Sequence, residues 1–380
     1  MTKVLIVDDS ALMRRLIGGV LGDAGFTVET ARNGREGVER LTEWQPDVVT
    51  LDINMPEMDG LTALSLMMQA RPTPVVMVSS LTAKGAQATF EALALGAVDF
   101  IAKPGGTISL SVDDIAKDLV AKVRSASRAR MRVSGASTAP GGLPRRPATD
   151  APPRHPPAQT SLRAPAVATR GPTRTQDVDL QATPRTDRQV LPGLVLVGVS
   201  TGGPRTLEDI LPYLPADFPW PIVVAQHMPA NFTDAFAQRM ARACAVKVHE
   251  ANTAMPLQPG HVYIGQGGMD VVIAERVGRL VVMPRPETPG HPWHPSVDVL
   301  VDSAMRVMDP RRIIGVQLTG MGNDGAKTMA QLKARGGRTI AESAETAVVF
   351  GMPQELINLG GATTVLPCHD VARHLCGWAR

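Results

Sequence analysis

The chain has 380 residues, 44% apolar and 20% charged, with a formal net charge of +3, and that length accommodates two or three domains with cores of their own. No run approaches the ~20 uncharged apolar residues of a membrane helix, and the first apolar run stops at Asp8 and Asp9, too soon for a secretory leader. Three widely spaced cysteines, Cys244, Cys368 and Cys376, match no metal-ligand spacing and read as reduced thiols, so the sequence predicts a cytoplasmic protein that is not membrane-embedded.

Residues 3–7 are a short β-branched run that ends in acid. Residues 11–22 carry apolar side chains at helical spacing, with Gly25 as a stop signal. Residues 28–31 predict a second strand and 35–44 a second helix. After Pro46, residues 47–52 form a buried strand that ends in Asp52. Residues 74–80 and 98–102 predict two more strands, the last followed by Lys103 and Pro104. Strands alternating with helices predict a doubly wound parallel α/β sheet, whose ligand sites lie at the carboxyl ends of the strands. Polar residues fall at those ends: Asp8 and Asp9 after the first strand, Asp52 on the third, Ser79 on the fourth and Lys103 after the fifth. Three carboxylates at one edge call for a hard cation, Mg²⁺. A carboxylate beside Mg²⁺, a hydroxyl and a lysine is equipped to attack a phosphoryl donor and form an acyl phosphate. Helix N-capping accounts for one or two of these acids, but not for all five residues at one edge.

Residues 124–190 hold twelve Arg, four Asp, ten Pro and no Lys, a net charge of +8, whereas residues 1–123 carry −5 and residues 191–380 carry none. The basic excess lies in a Pro/Arg/Ala/Thr stretch with no aromatic residue for base stacking, so a nucleic-acid partner is not expected. Such a segment buries too little apolar surface to offset its ordering entropy and predicts a disordered linker. A basic docking segment for an acidic partner is the alternative.

The second domain opens with LVLVGVSTGGP over residues 194–204, a buried strand running into a glycine-rich turn and a helix from about Arg205. Gly198, Ser200 and Gly202 fit the Gly-x-Ser-x-Gly nucleophile elbow, in which glycines allow a tight turn that exposes the serine at a helix N-terminus. A serine N-cap and a phosphate-cradling turn share the pattern. Residues 221–226 predict the next strand and lead into His227, placed at the same sheet edge as a general base. Residues 313–318 predict a further strand, followed by TGMGNDG over 319–325, which brings Asp324 to that edge to orient His227. The plainer readings are a loop or core histidine, and an N-cap for a helix near Ala326. Nucleophile, base and orienter from three strand ends together favour catalysis. The order Ser, His, Asp differs from the Ser, Asp, His of common α/β-hydrolases, and the lack of Gly-x-Gly-x-x-Gly disfavours a dehydrogenase. His291 and His294 suggest metal only weakly, with a proline between them and no acidic partner. His155 lies in the linker, and His249, His261, His369 and His374 lack a strand-end setting.

Residues 1–123 resemble the receiver domain of two-component response regulators through VDDS at 7–10, LDINMPEMDG at 51–60 and FIAKP at 100–104. The resemblance implies a flavodoxin-like fold with Asp52 as phospho-acceptor for a histidine kinase. It further implies Mg²⁺ held by Asp8, Asp9, Asp52 and the Asn54 carbonyl, phosphoryl contacts from Ser79 and Lys103, and Phe100 as the aromatic switch. Residues 191–380 are similar to the chemotaxis protein-glutamate methylesterases. The motifs are residues 198–204, VAQHMP at 224–229, PGHVYI at 259–264, PSVDVL at 295–300, residues 318–325 and VFGMP at 349–353. That resemblance implies a Rossmann-like domain hydrolysing glutamyl methyl esters, and deamidating glutamines, on chemoreceptor cytoplasmic helices without a cofactor. Ser200 would be nucleophile, His227 base and Asp324 orienter. The Met321 N–H would help form the oxyanion hole, and Thr201 would flank the site. Val199, His294 and the pair Gly265 and Gln266 depart from the family's usual alanine, arginine and Ala-Pro, and the linker is long for the family. None of these touches the triad, and His294 bears on how the site treats substrate carboxylates. A catalytically silent signalling adaptor is the alternative, against which the intact Ser/His/Asp set argues. A transcription factor would need a helix-turn-helix output unit, and residues 191–380 read as α/β.

Overall fold

The computed structural model describes residues 1–80, 82–103, 112–130 and 191–380. Pro104, His155 and residues 131–190, the greater part of the expected linker, lie outside the described residues.

The first domain runs β1 (Lys3–Val7), α1 (Ala11–Asp23), β2 (Thr27–Ala31), α2 (Gly34–Trp44), β3 (Val48–Asp52), α3 (Gly60–Ala70), β4 (Val75–Ser79), α4 (Ala83–Leu95), β5 (Asp99–Ala102) and α5 (Val112–Ala126). All five strands are parallel, in the order β2-β1-β3-β4-β5. Every residue of β3 and β4 is buried, as continuous apolar strands covered by helices on both faces must be. The strand order reverses at β1, so the carboxyl ends of β1 and β3 lie side by side with Val7 opposite Leu51. Local chemistry sets the helix starts: Ser10, Asn33 and Asp59 each accept a first-turn N–H of α1, α2 and α3. Helix α5 continues to Ala126, past the expected boundary at residue 123, and the Arg130 N–H donates to the Val348 carbonyl at 3.1 Å.

The second domain runs β6 (Leu194–Val199), α6 (Gly203–Glu208), β7 (Ile222–Gln226), α7 (Ala230–Ala243), β8 (Lys247–Ala251), β9 (Met255–Pro256), β10 (His261–Gly265), β11 (Asp270–Arg276), β12 (Arg279–Arg285), α8 (Val297–Val307), β13 (Ile313–Gln317), α9 (Ala326–Ala334), β14 (Arg338–Glu342), α10 (Met352–Asn358), β15 (Thr364–Leu366) and α11 (Cys368–Trp378). Seven strands form a parallel sheet in the order β15-β14-β13-β6-β7-β10-β8. The order reverses around β6, which makes the β13-β6-β7 edge the place for a ligand. Strands β9, β11 and β12 form a separate antiparallel sheet that the sequence reading did not anticipate.

The first domain packs against the second through aromatic pairs. Phe100 of β5 meets Phe232 of α7 at 4.4 Å between centroids, and Phe90 of α4 meets Phe236 of α7 at 5.5 Å. All four belong to one contiguous buried cluster that spans both sheets.

Candidate functional site

The carboxyl edge of the first sheet gathers acid. Ligand oxygens of Asp8, Asp9 and Asp52 lie within 4.8 Å of one another, Asp8 and Asp52 buried and Asp9 exposed. Lys103 Nζ lies 2.7 Å from Asp52 Oδ2 and 3.3 Å from Asp8 Oδ2. Burial pushes the Asp52 carboxyl above the usual carboxylate range, although the Lys103 ammonium works in the other direction. Burial lowers Lys103, but Asp52 and Asp8 outweigh it and hold that ammonium above its ordinary value. Three carboxylates facing one ammonium form an all-oxygen, net-negative set that a small hard divalent cation suits. The Asn54 N–H donates to Asp52 Oδ1 at 3.3 Å. Ser79 is buried at the end of β4, its hydroxyl donating to the Gly85 carbonyl at 3.2 Å. Phe100 sits one strand further along, buried under Phe232 rather than turned to solvent.

In the second domain, Ser200, His227 and Asp324 follow β6, β7 and β13, three neighbouring strands. The Ser200 N–H donates to the Thr319 carbonyl at 2.9 Å, and the Ser200 carbonyl accepts from Gly203 N–H at 2.8 Å and Gln226 Nε2 at 3.1 Å. These bonds pin the turn from both flanking strands. Gly320 lets the next loop pass close by, since a Cβ there would stand 2.7 Å from the Ser200 Cβ. His227 Nε2 lies 2.8 Å from Asp324 Oδ2, while His227 Nδ1 is buried without a hydrogen-bond partner.

Asp324 also accepts the Val297 N–H at 2.7 Å, the Asp298 N–H at 3.0 Å and the Ser296 hydroxyl at 3.0 Å. It therefore serves the first turn of α8, whose N-cap is Ser296, and not α9, whose N-cap is Gly325, so the plain N-cap reading of the sequence names the wrong helix. The sequence could not show this, because the start of α8 is brought to Asp324 by packing. Burial acts to raise the Asp324 carboxyl, but the bond and charge of His227 and the two N–H donors together hold it below the usual range. Beside an ionised Asp324, Nε2 is the donor to the carboxylate, and the neutral tautomer with that arrangement carries its lone pair on Nδ1.

Ser200, His227, Trp293 and Met321 line a cavity of about 670 Å³ that Asp118 and Lys122 of the first domain also line. The first domain reaches further in: Thr201, next to the serine, donates its hydroxyl to Asp99 Oδ2 at 2.7 Å. Lys122 Nζ stands 3.3 Å from Asp99 Oδ1 and donates to the Phe100 carbonyl at 2.6 Å. Asp99, Lys122 and Trp293 carry little local signal: Asp99 is an acid opening a buried strand beside Phe100, and Trp293 stands between His291 and His294 with no motif of its own. His291 and His294 do not converge, since His294 Nδ1 pairs with Asp270 Oδ1 at 2.9 Å and His291 Nδ1 with the Ser296 hydroxyl at 3.2 Å.

The fold and the two edges define a class: a receiver joined to an α/β domain with a serine, histidine and aspartate at its switch point. Residues 4–112 match the response regulator receiver domain model and residues 195–375 the CheB methylesterase model. Protein-glutamate methylesterase/protein-glutamine glutaminase 3 of Rhodospirillum rubrum is 53% identical over 380 residues, 100% of this chain and 96% of that protein. The corresponding protein 2 of Rhodopseudomonas palustris is 48% identical over 379 residues, 100% of this chain and 98% of that one. The solved catalytic domain of Thermotoga maritima CheB methylesterase shares 39% identity, covering 49% of this chain and 97% of that chain at a TM-score of 0.47. The chain belongs to the protein-glutamate methylesterase/protein-glutamine glutaminase family. Among the described residues no helix is long and apolar enough to cross a membrane.

Proposed function

We propose that the chain is a cytoplasmic serine esterase that hydrolyses glutamyl methyl esters, and deamidates glutamines, on the cytoplasmic helices of chemoreceptors under the control of its own receiver. The observation that carries this reading is the His227–Asp324 pair at 2.8 Å, at the edge where Ser200 leaves the central strand. Ser200 Oγ attacks the glutamyl carbonyl while His227 Nδ1 takes its proton, and Asp324 holds Nε2–H and balances the imidazolium. The Met321 N–H receives the oxyanion, with Thr201 beside it. The imidazolium returns the proton to the leaving methoxide or amide, releasing methanol or ammonia. Water, deprotonated by His227, then cleaves the acyl-enzyme and restores Ser200.

In the receiver, which spans residues 1–123, Asp52 accepts a phosphoryl group from a histidine kinase. Asp8, Asp9, Asp52 and the Asn54 carbonyl would hold Mg²⁺, which supplies charge neutralisation to the incoming phosphoryl oxygens. Lys103 and Ser79 take the remaining phosphoryl oxygens, and Phe100 passes the change to the surface packed on α7. Residues 124–190 connect this receiver to the catalytic domain of residues 191–380. The unphosphorylated receiver covers the cavity mouth with Asp118 and Lys122 and engages Thr201 through Asp99. Neither a nucleic acid nor a membrane is the partner in this reading.

Methanol release from methylated receptor membranes, with and without a small phosphodonor and Mg²⁺, tests it. The expected result is release that the phosphodonor stimulates and that Ser200→Ala abolishes. Turnover that survives in a folded Ser200→Ala chain refutes the serine mechanism.

A further inference from the structure

We infer that Trp293 is a positioning residue for His227: its indole stands parallel to the imidazole, offset from it, and limits how far that ring can turn. The inference rests on the serine-esterase reading of this site. The two rings stack at 5.5 Å between centroids with an interplanar angle of 1°. An imidazole held by one hydrogen bond keeps freedom about its Cβ–Cγ bond, because such torsions are broad. His227 Nδ1 has no hydrogen-bond partner to remove that freedom, and the parallel indole beside the ring is a surface that a turning imidazole would meet. The indole also covers the neighbouring loop, where a Cβ on Gly322 would stand 3.0 Å from it. Trp293 thus spans the loop bearing His227 and the loop bearing Met321.

The indole is itself anchored. The next residue, His294, places Nδ1 2.9 Å from Asp270 Oδ1, at the start of β11. Asp270 is fully buried and also accepts the Thr288 N–H at 2.8 Å and the Ser296 N–H at 3.0 Å. Burial acts to raise that carboxyl, but the bonds from Thr288, His294 and Ser296 hold it below the usual range, so the anchor is ionised. Ser296 and Val297 then return to Asp324. One short segment therefore steadies both members of the pair, Asp324 by hydrogen bonds and His227 by stacking.

The test uses the full chain with Mg²⁺ and a small phosphodonor in every arm. It has two readouts: methanol release from methylated receptor membranes, and the rate at which a fluorophosphonate labels Ser200, which needs no glutamyl ester. Trp293→Ala and Trp293→Leu are expected to lower kcat and the labelling rate about 10- to 100-fold with KM changed by less than ~3-fold. Trp293→Phe keeps a flat ring and is expected to recover both to within ~3-fold of the wild type. On a His227→Ala background, Trp293→Ala should add less than ~2-fold, because the restraint acts through a ring already gone. A rise in KM with labelling unchanged, a leucine variant as active as the phenylalanine one, or a full further loss on the His227→Ala background would each overturn the inference. A wild-type chain that labels but releases no methanol refutes the substrate reading and leaves the labelling series to decide Trp293. One that does neither removes both.

Discussion

Asp324 does two things at once. Its carboxylate holds His227 and also satisfies two backbone N–H groups and a hydroxyl at the start of α8. Its loss is therefore structural as well as chemical, unlike that of Ser200, whose turn is held by bonds to its backbone N–H and carbonyl. Asp324→Ala should lower unfolding stability by about 2–4 kcal/mol, since buried donors left unpaired cost ~1–3 kcal/mol each. Ser200→Ala should change it by less than about 1 kcal/mol. Both should cut turnover by roughly 10⁴–10⁶. Denaturant titration beside methanol release checks the contrast, and equal stability losses would contradict it. The pH dependence has a definite sign. The Asp324 carboxyl is held below its ordinary 3.8, so its stabilisation is complete above that value and fades as pH falls through the folded-state value. The stability gap between the wild type and Asp324→Asn should therefore shrink as pH falls below about 4, where the carboxylate takes up its proton. A gap that persists or widens below pH 4 would show that the carboxylate is not what stabilises α8.

Among the elements, β5 and α5 link the phosphorylation edge to the hydrolase edge. Phe100 packs on Phe232, Lys122 holds Phe100 and Asp99 together, and Asp99 holds the Thr201 hydroxyl. This ties the receiver to the residue that follows Ser200, so in the serine-esterase reading the bond would hold Thr201 in its docked position. Asp99→Ala, placed on an Asp52→Ala background so that phosphorylation plays no part, should raise basal methanol release several-fold above that of Asp52→Ala alone. Thr201→Val would break the same bond without freeing a useful hydroxyl, and should raise it less. If Asp99→Ala leaves the basal rate unchanged, the bond to Thr201 is packing alone and the receiver acts by steric cover.

On the scale of the whole molecule, a receiver can regulate only by biasing an equilibrium between docked and undocked arrangements. Phosphorylation of Asp52 should loosen the α4–β5–α5 face from α6 and α7, and Asp52→Ala should abolish stimulation by a phosphodonor with Mg²⁺. Deleting residues 1–123 should raise basal turnover and make it independent of the phosphodonor. The same deletion exposes Phe232 and Phe236, both fully buried in the intact chain. The isolated catalytic part is therefore expected to associate at lower concentration than the full chain, which light scattering reads. A truncated chain slower than the unphosphorylated full chain would make the receiver an activator.

Local sequence marked the five strands of the first domain and β6, β7 and β13 of the second, their parallel character, and the polar residues that line the two edges; β8, β10, β14 and β15 carried no such mark. A buried parallel strand is a continuous apolar run, and the residue that stops it is a local fact. Asp8, Asp52 and Lys103 on one edge, and Ser200, His227 and Asp324 on the other, were legible for that reason, and so was their common side of the sheet. Tertiary structure alone decided which helix Asp324 serves, that Trp293 stands parallel to His227, that Asp99 reaches Thr201 across 102 positions of chain, and that β9, β11 and β12 form a sheet of their own. Each of these depends on two surfaces meeting after the elements have formed. Periodicity records which face of an element is buried, but it carries no information about which distant side chain completes the contact.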